Sequence, residues 1–344
     1  MLSAWNKTKK PEQEVIDKKL RTLREELTTK HVLLKEHRKP VMVIVEGWGA
    51  AGKGSIIGKI IRNIDPRFFK VSTMSVKSEE EKRRPFLYRH FIRIPEAGKY
   101  TFYDGSWMDE VTSEFLHGDI DKDMYRERIT SIKRFERQLT DNGYLVMKFF
   151  LHIDKDEQKN RLGKLQADES TNWRVSEDDL WQNKHYDQCL KVYDQYINDT
   201  NQPNAPWYII DAESKKWAEL QLLEILLKGI DTALLNDSYA AHILQNTFPL
   251  SYTPKLAEIP LDKELTEEEY RRELSICQKR LSALHNELYL RKIPVILAYE
   301  GWDAAGKGGN IKRITSALDP HGYEVHPIAS PEPHEKARHY LWRF

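Results

Sequence analysis

Residues 46–55 read EGWGAAGKGS, and residues 300–309 read EGWDAAGKGG. The offset is 254 (301 − 47), and it holds without a gap far beyond the loop. Asp65-Pro66 maps to Asp319-Pro320, Glu81-Lys82 to Glu335-Lys336, and Leu87 and Arg89 to Leu341 and Arg343. Upstream, Leu27, Leu34 and Val41 map to Leu281, Leu288 and Val295. Convergent drift does not keep one register in this way. The sequence reads as a tandem duplication, so any fold must be buildable from two equivalent units. The second copy is short: Phe344 corresponds to His90, and over a hundred residues of the first copy have no counterpart. Such a copy would leave a half-built sheet with exposed edges, so the chain reads as a fragment.

The first copy alternates strands and helices. Val15, Leu20, Leu23, Leu27 and Leu34 recur at helical spacing within residues 12–37, and Pro40 ends that amphipathic helix. VMVIV (41–45) is a continuous β-branched run, as expected of a central parallel strand buried on both faces. SIIGKIIRNI follows the glycine-rich loop as a helix. KYTFYD (99–104), YLVMKFFLHI (144–153) and WYIID (207–211) predict further core strands. A helix stopping at Asn142-Gly143 separates the first two, and another spans about 214–235. The expected fold is α/β: a P-loop kinase-like parallel sheet flanked by helices, tandemly duplicated with the second copy truncated. The predicted division is a first domain at 12–245, a proline-bearing linker at 246–264, and the opening of a second domain at 265–344 that starts on a charged helix.

The spacing G-x-x-x-x-G-K occurs at Gly47–Lys53 and at Gly301–Lys307. Glycines let the backbone curl until several N–H groups face one phosphate, and the following helix adds its positive end. The lysine sets a compact cation against the outer phosphates. The predicted phosphate cradle is Gly47, Gly52, Lys53 and Gly54 in the first loop. In the second it is Gly301, Ala304, Ala305, Gly306, Gly308 and Gly309. Such loops usually place Ser or Thr after the lysine to hold Mg²⁺; here Gly54 and Gly308 stand there. The cation then needs other hard oxygen donors, and Asp303 inside the second loop is the candidate. Gly49 replaces it in the first.

Other features exclude classes. A net charge of +1 gives no global reason to expect nucleic acid, although a local basic surface stays open. No apolar run reaches the roughly 18 residues of a membrane span. MLSAWNKTKKPEQEV lacks the apolar core of a secretory signal, and two cysteines without metal-ligand spacing fit a reducing, cytoplasmic setting. Cys189 and Cys277 read as small hydrophobes. A homo-oligomer is compatible with the sequence, since tandem copies can imitate a two-fold dimer.

GWDAAGKGG resembles the phosphate loop of the family 2 polyphosphate kinases. RIPEAGKYTFYDGSWMDEV (93–111) is similar to that family's strand ending in Asp-Arg-Ser-Trp-Tyr. KFFLHIDKDEQKNRL (148–162) and NAPWYIIDAESKKWA (204–218) look like its lid entry and closing strand. The resemblance implies phosphoryl transfer between inorganic polyphosphate and nucleotides with Mg²⁺. The tandem layout resembles members that convert AMP to ADP. It implies that Asp303 and Lys307 act in catalysis, with Asp303 and, more weakly, Asp104 as metal ligands. The matching Asp-Arg motif of the second copy would lie near 358, beyond the chain. The first copy departs from the pattern: Gly49 replaces the loop aspartate, Gly105 the arginine and Met108 the tyrosine. It therefore reads as a disabled sister of the second. Arg161, Lys164 and Arg174 are expected as lid cations. Lys77, Lys82, Arg83, Arg84, Arg89 and Arg93 read either as a solvated charged helix or as a polyphosphate track. Trp173, Trp207 and Trp217 are expected to pack. Two alternatives stay open: a non-catalytic phosphate-binding fragment, and an ATP-dependent P-loop kinase for a small metabolite.

Overall fold

A computed structural model describes residues 1–3, 5, 9–73, 77–235 and 255–344. The chain forms two compact units, Met1–His242 together with Pro331–Phe344, and Ile243–Ser330. The linker expected at 246–264 lies outside the described residues as far as 254.

In the first unit the helix α1 (Gln13–Glu36) leads into β1 (Val41–Gly47), and α2 (Lys53–Ile61) follows the glycine-rich loop. Next come β2 (Phe69–Thr73), the short α3 (Glu79–Lys82) and α4 (Tyr88–Phe91), and β3 (Tyr100–Asp104). After α5 (Trp107–His117) and α6 (Lys122–Asp141) the chain crosses to β4 (Leu145–His152). Three helices, α7 (Lys155–Ala167), α8 (Glu177–Lys184) and α9 (Tyr186–Thr200), precede β5 (Trp207–Asp211), and α10 (Lys215–Leu235) closes the run. All pairings are parallel, in the order β2-β3-β1-β4-β5. Strand order reverses beside β1, and open parallel sheets bind ligands at that crevice, beyond the carboxyl ends of the strands.

Burial explains the strands. Val41 through Val45 are fully buried because helices cover both sheet faces, so no polar alternation is needed. α10 packs on β4, β5 and α2 with α1 outside it, while α5, α6 and α9 cover the opposite face. The predicted strands and the α1 and α10 helices lie where periodicity placed them. β2 was not anticipated: FKVST is a short, mixed edge strand with only Ser72 buried. Inside the sheet, Lys148 Nζ donates to Glu136 Oε2 at 2.7 Å and to the Thr200 carbonyl at 2.9 Å, with both charged side chains fully buried. The segment 331–344, including the short α13 (Pro333–Lys336), packs with this unit. The Ala97 amide donates to the Ala337 carbonyl at 2.7 Å, and Arg338 pairs with Glu96 at 2.6 Å.

The second unit holds α11 (Glu267–Arg291), capped by a Thr266–Glu269 box, and α12 (Lys307–Thr315). Gln278 Nε2 donates to the Arg313 carbonyl at 2.9 Å, and Arg313 to the Tyr270 hydroxyl at 2.6 Å, which ties the two helices. Among its described residues there is no strand, and the VILAY run before its loop is exposed.

Candidate active site

The first loop leaves β1 at Gly47, whose φ is +140°, and turns through left-handed Ala50 (φ +59°) and Gly52 (φ +99°), the N-cap of α2. A glycine at 47 is required by packing too, because a Cβ there would strike the backbone of Leu151 on β4. Lys53 folds back and donates to the Gly47 carbonyl at 3.1 Å. The second loop repeats this shape: Gly301 at +158°, Ala304 at +58°, Gly306 at +84° as N-cap of α12. Lys307 Nζ donates to the carbonyls of Gly301 at 2.6 Å and Trp302 at 2.8 Å. Ala51 N bonds the Trp48 carbonyl at 3.1 Å, and Ala305 N the Trp302 carbonyl at 3.2 Å. Both loops thus share one turn that leads into a helix, with the lysine folded back on the first glycine. Around the second, Asp303, Gly308 and Gly309 are exposed.

Carboxylates gather around the first loop. Asp104 ends β3 level with Val45, and the Gly105 amide, left-handed at φ +78°, donates to the Val45 carbonyl at 3.2 Å. A Cβ on Gly54 would lie 3.2 Å from Asp104 Oδ2. Glycine at 54 leaves the strand-end carboxylate room that a Cβ would crowd. Burial pushes the Asp104 carboxyl up, and Lys53 opposes the shift. Glu46, which no sequence motif singled out, is buried at the end of β1 and accepts from Ser106 Oγ at 2.5 Å. Desolvation, helped by Asp109, pushes it up to about 8. Asp109 reaches solvent, yet the surrounding protein pushes its carboxyl up, with Asp178, Asp179 and Asp104 adding and Lys53 opposing. These are hard oxygen donors, the chemistry a Mg²⁺ ion prefers. Among the described residues no three carboxylate, His or Cys side chains converge as a complete metal cage. A Mg²⁺ here would share one or two carboxylates with substrate phosphates, its common mode.

Several expected cations are already engaged. Arg161 donates to the carbonyls of Ala50, Ala51, Ala212 and Glu213 at 2.8–3.3 Å and to Glu157 Oε1 at 2.6 Å. It braces the loop from beneath rather than reaching for a ligand; Lys164 and Arg174 are exposed. Much of the basic segment is engaged in ion pairs: Lys77 with Glu110 and Glu114, Lys82 with Glu79, Arg84 with Glu80, and Arg89 and Arg93 with Glu81. These side chains form an ion-pair network. Trp207 is buried and Trp217 packs against the core, but Trp173 is 73% exposed, with the Arg174 guanidinium over its ring. Cys189 is buried as expected of a small hydrophobe, whereas Cys277 is exposed because α11 has no buried face among the described residues.

The sequence did not point to Gln158, Asp179 or Gln182, which meet at Gly49. Gly49 N donates to Gln182 Oε1 at 2.7 Å, and Gln158 Nε2 donates to the same oxygen at 2.6 Å. Sequence separations of over a hundred residues hide such contacts.

Comparison with known proteins agrees with this layout. A family profile described as Polyphosphate kinase 2 (PPK2) matches residues 10–238 and again 264–344. A protein of Pseudomonas aeruginosa named Polyphosphate:AMP phosphotransferase is 32% identical over 97% of this chain and 68% of its own. One of the same name from Pseudomonas syringae is 32% identical over 94% and 66%. The chain therefore spans about two thirds of the length of these relatives. A crystal structure of a candidate polyphosphate kinase 2 from Pseudomonas aeruginosa superposes with a TM-score of 0.82 at 30% identity, covering 100% of this chain and 68% of that one. With the profile matching most of the residues, and with a parallel sheet that carries a phosphate-type loop at its switch point, the chain belongs to the polyphosphate kinase 2 family.

Proposed function

We propose that the protein transfers a phosphoryl group from inorganic polyphosphate to a nucleotide, with AMP as acceptor and ADP as product, in the cytoplasm. The carrying observation is the second loop, where an exposed aspartate and a loop-bound lysine stand on a helix-leading anion cradle in a chain of this family. The acceptor phosphate oxygen attacks the terminal phosphorus of polyphosphate, that phosphorus parts from its bridging oxygen, and the shortened chain leaves with the electron pair. Phosphoryl transfer depends on positioning and charge neutralisation more than on covalent help. Gly301, Ala304, Ala305, Gly306, Gly308 and Gly309 would hold phosphate oxygens, and Lys307 would meet the charge on the transferring group. Asp303 would hold Mg²⁺, which when bound neutralises phosphate charge.

The reading includes an ancestral duplication. It is supported by the 254-residue spacing that recurs in α1 and α11, in α2 and α12, and in left-handed Arg38 and Lys292. In the first repeat Gly47, Gly52, Lys53 and Gly54 would form a phosphate cradle, and Asp104 a weak cation ligand. Lacking a loop carboxylate, that repeat serves as support rather than as the catalyst. The test is ADP formation from AMP, polyphosphate and Mg²⁺. It compares this chain with a chimaera that carries, after Phe344, the C-terminal third of the Pseudomonas aeruginosa relative. Activity confined to the chimaera is expected. Equal activity in the unextended chain would move catalysis to the first repeat.

A further inference from the structure

The glycine at position 49 has a structural partner. An ideal Cβ on Gly49 would lie 2.1 Å from Asp179 Oδ1, a carboxylate that α8 brings onto the loop and that also bonds Ser176 in the cap of its own helix. The Gly49 amide, one of the donors that a phosphate loop turns inward, is already taken by Gln182 Oε1 at 2.7 Å. The orientation of that carboxamide is fixed by its neighbours. Its oxygen receives a second proton from Gln158 Nε2, and its nitrogen donates to the Tyr193 hydroxyl at 2.7 Å. Gln158 is fully buried and is itself set by Asn183 Nδ2, which donates to Gln158 Oε1 at 3.0 Å. Gln182 and Asn183 are half-buried and Gln158 and Tyr193 are buried, and a polar network satisfied in this way favours one geometry.

We propose that α8 is a gate on the first phosphate loop. The Gln182 oxygen takes the place of a phosphate oxygen at the Gly49 amide, and the loop admits a condensed-phosphate chain only when α8 lifts. Asp178 and Asp179 add negative charge above the loop and so oppose an arriving polyanion until then. Gly49 fits the gate as well as it fits decay: a Cβ there would push the Asp179 carboxylate off its seat and crowd its Cβ at 3.2 Å, which loosens the contact between α8 and the loop. The inference rests on the reading of the first loop as a phosphate cradle. It adds that this cradle is closed at rest by the protein's own oxygen.

The test uses the whole 344-residue chain carrying Lys307→Ala, so that the second loop is silent. Binding of inorganic tripolyphosphate is measured by calorimetry, and hydrogen exchange is followed over residues 176–185. Apparent affinity scales with the open fraction, so a loop open about a tenth of the time gains about tenfold when the gate is removed. Gln182→Ala is expected to tighten tripolyphosphate about tenfold and to speed exchange in α8, and adding Lys53→Ala should abolish the gain. Gly49→Asp, an independent route that spares the glutamine, should also release α8. Gln182→Glu, which keeps the acceptor oxygen, should stay at the parent's affinity. Equal Lys53-dependent binding in the parent and in Gln182→Ala overturns the gate and leaves the loop reading intact. A released α8 without Lys53-dependent binding overturns the loop reading itself. Unchanged α8 exchange in both Gln182→Ala and Gly49→Asp also overturns the gate.

Discussion

The two loops share a backbone and differ in everything around it. Trp48 is fully buried and stacks on Tyr186 at 3.9 Å between ring centroids, while Trp302, its counterpart, is 87% exposed. Glu46 is buried; Glu300 lies in the open. Met42 is fully buried between sheet neighbours, and Ile296 at the matching position is 93% exposed. Yet each loop visits the left-handed region at the same places and each lysine bonds the same first-glycine carbonyl. Loop shape is therefore a local property of glycine placement and short-range hydrogen bonds. Burial, pKa shifts and the Gly49 contact need β3, β4 and α8, which come from far along the chain.

The largest contrast should be in catalysis. In the chimaera, Lys307→Ala is expected to lower the rate of ADP formation by about 10³-fold, the scale of one transition-state electrostatic contact. Lys53→Ala should change it by less than about threefold. Similar losses at both lysines would erase the division of labour.

Stability should separate the same pair of regions. Met42→Ala removes packing from the centre of the sheet and is expected to cost about 2–5 kcal/mol, whereas Ile296→Ala should stay within about 0.5 kcal/mol. Urea denaturation followed by tryptophan fluorescence reads both, and a measurable loss from Ile296→Ala would mean that this run is covered in solution.

The third contrast is in pH. With Glu46 near 8, the folded chain keeps a proton that the unfolded chain releases near its ordinary value of 4.5. The stability this contributes is present below about 4.5 and is lost as pH rises through about 8. Glu46→Gln cannot ionise, so its stability relative to wild type should improve by about 2 kcal/mol from pH 6 to pH 8. Parallel pH profiles would show that Glu46 is ionised throughout.

The smallest effect concerns the glycine after each lysine. A Cβ at Gly308 meets nothing within 4 Å, but one at Gly54 meets Asp104. Gly308→Ala should firm the start of α12 by about 0.5–1 kcal/mol through helix propensity, and Gly54→Ala should gain less. Hydrogen exchange in the first turns of α2 and α12 compares them.

Much of this was legible in the residues. The uninterrupted VMVIV run announced a strand covered on both faces, and the heptad-like leucines of residues 12–37 announced α1. Glycine spacing announced both loops down to their helix starts. The edge strand β2 escaped because a short, half-exposed strand has no periodicity to read. Trp173 escaped because an aromatic side chain carries no sign of whether a partner will reach it, and Arg161 because a guanidinium looks alike whether it meets a ligand or five protein oxygens. The basic segment could be read either as a solvated charged helix or as a track because its α5 partners, Glu110 and Glu114, come from outside the segment and only folding sets them beside Lys77.

The sequence by itself determined the recurring loop motif, the strand–loop–helix unit of residues 41–61 and the helix that follows the second loop, because these depend on neighbours within a few residues. Tertiary structure alone decided which loop is buried, which carboxylate fills the space beside Gly54, and which oxygen sits on the Gly49 amide. Those outcomes depend on distances between segments far apart in the chain, 50 residues for Gly54 and Asp104 and 133 for Gly49 and Gln182, and a chain fixes such distances only once its sheet has formed.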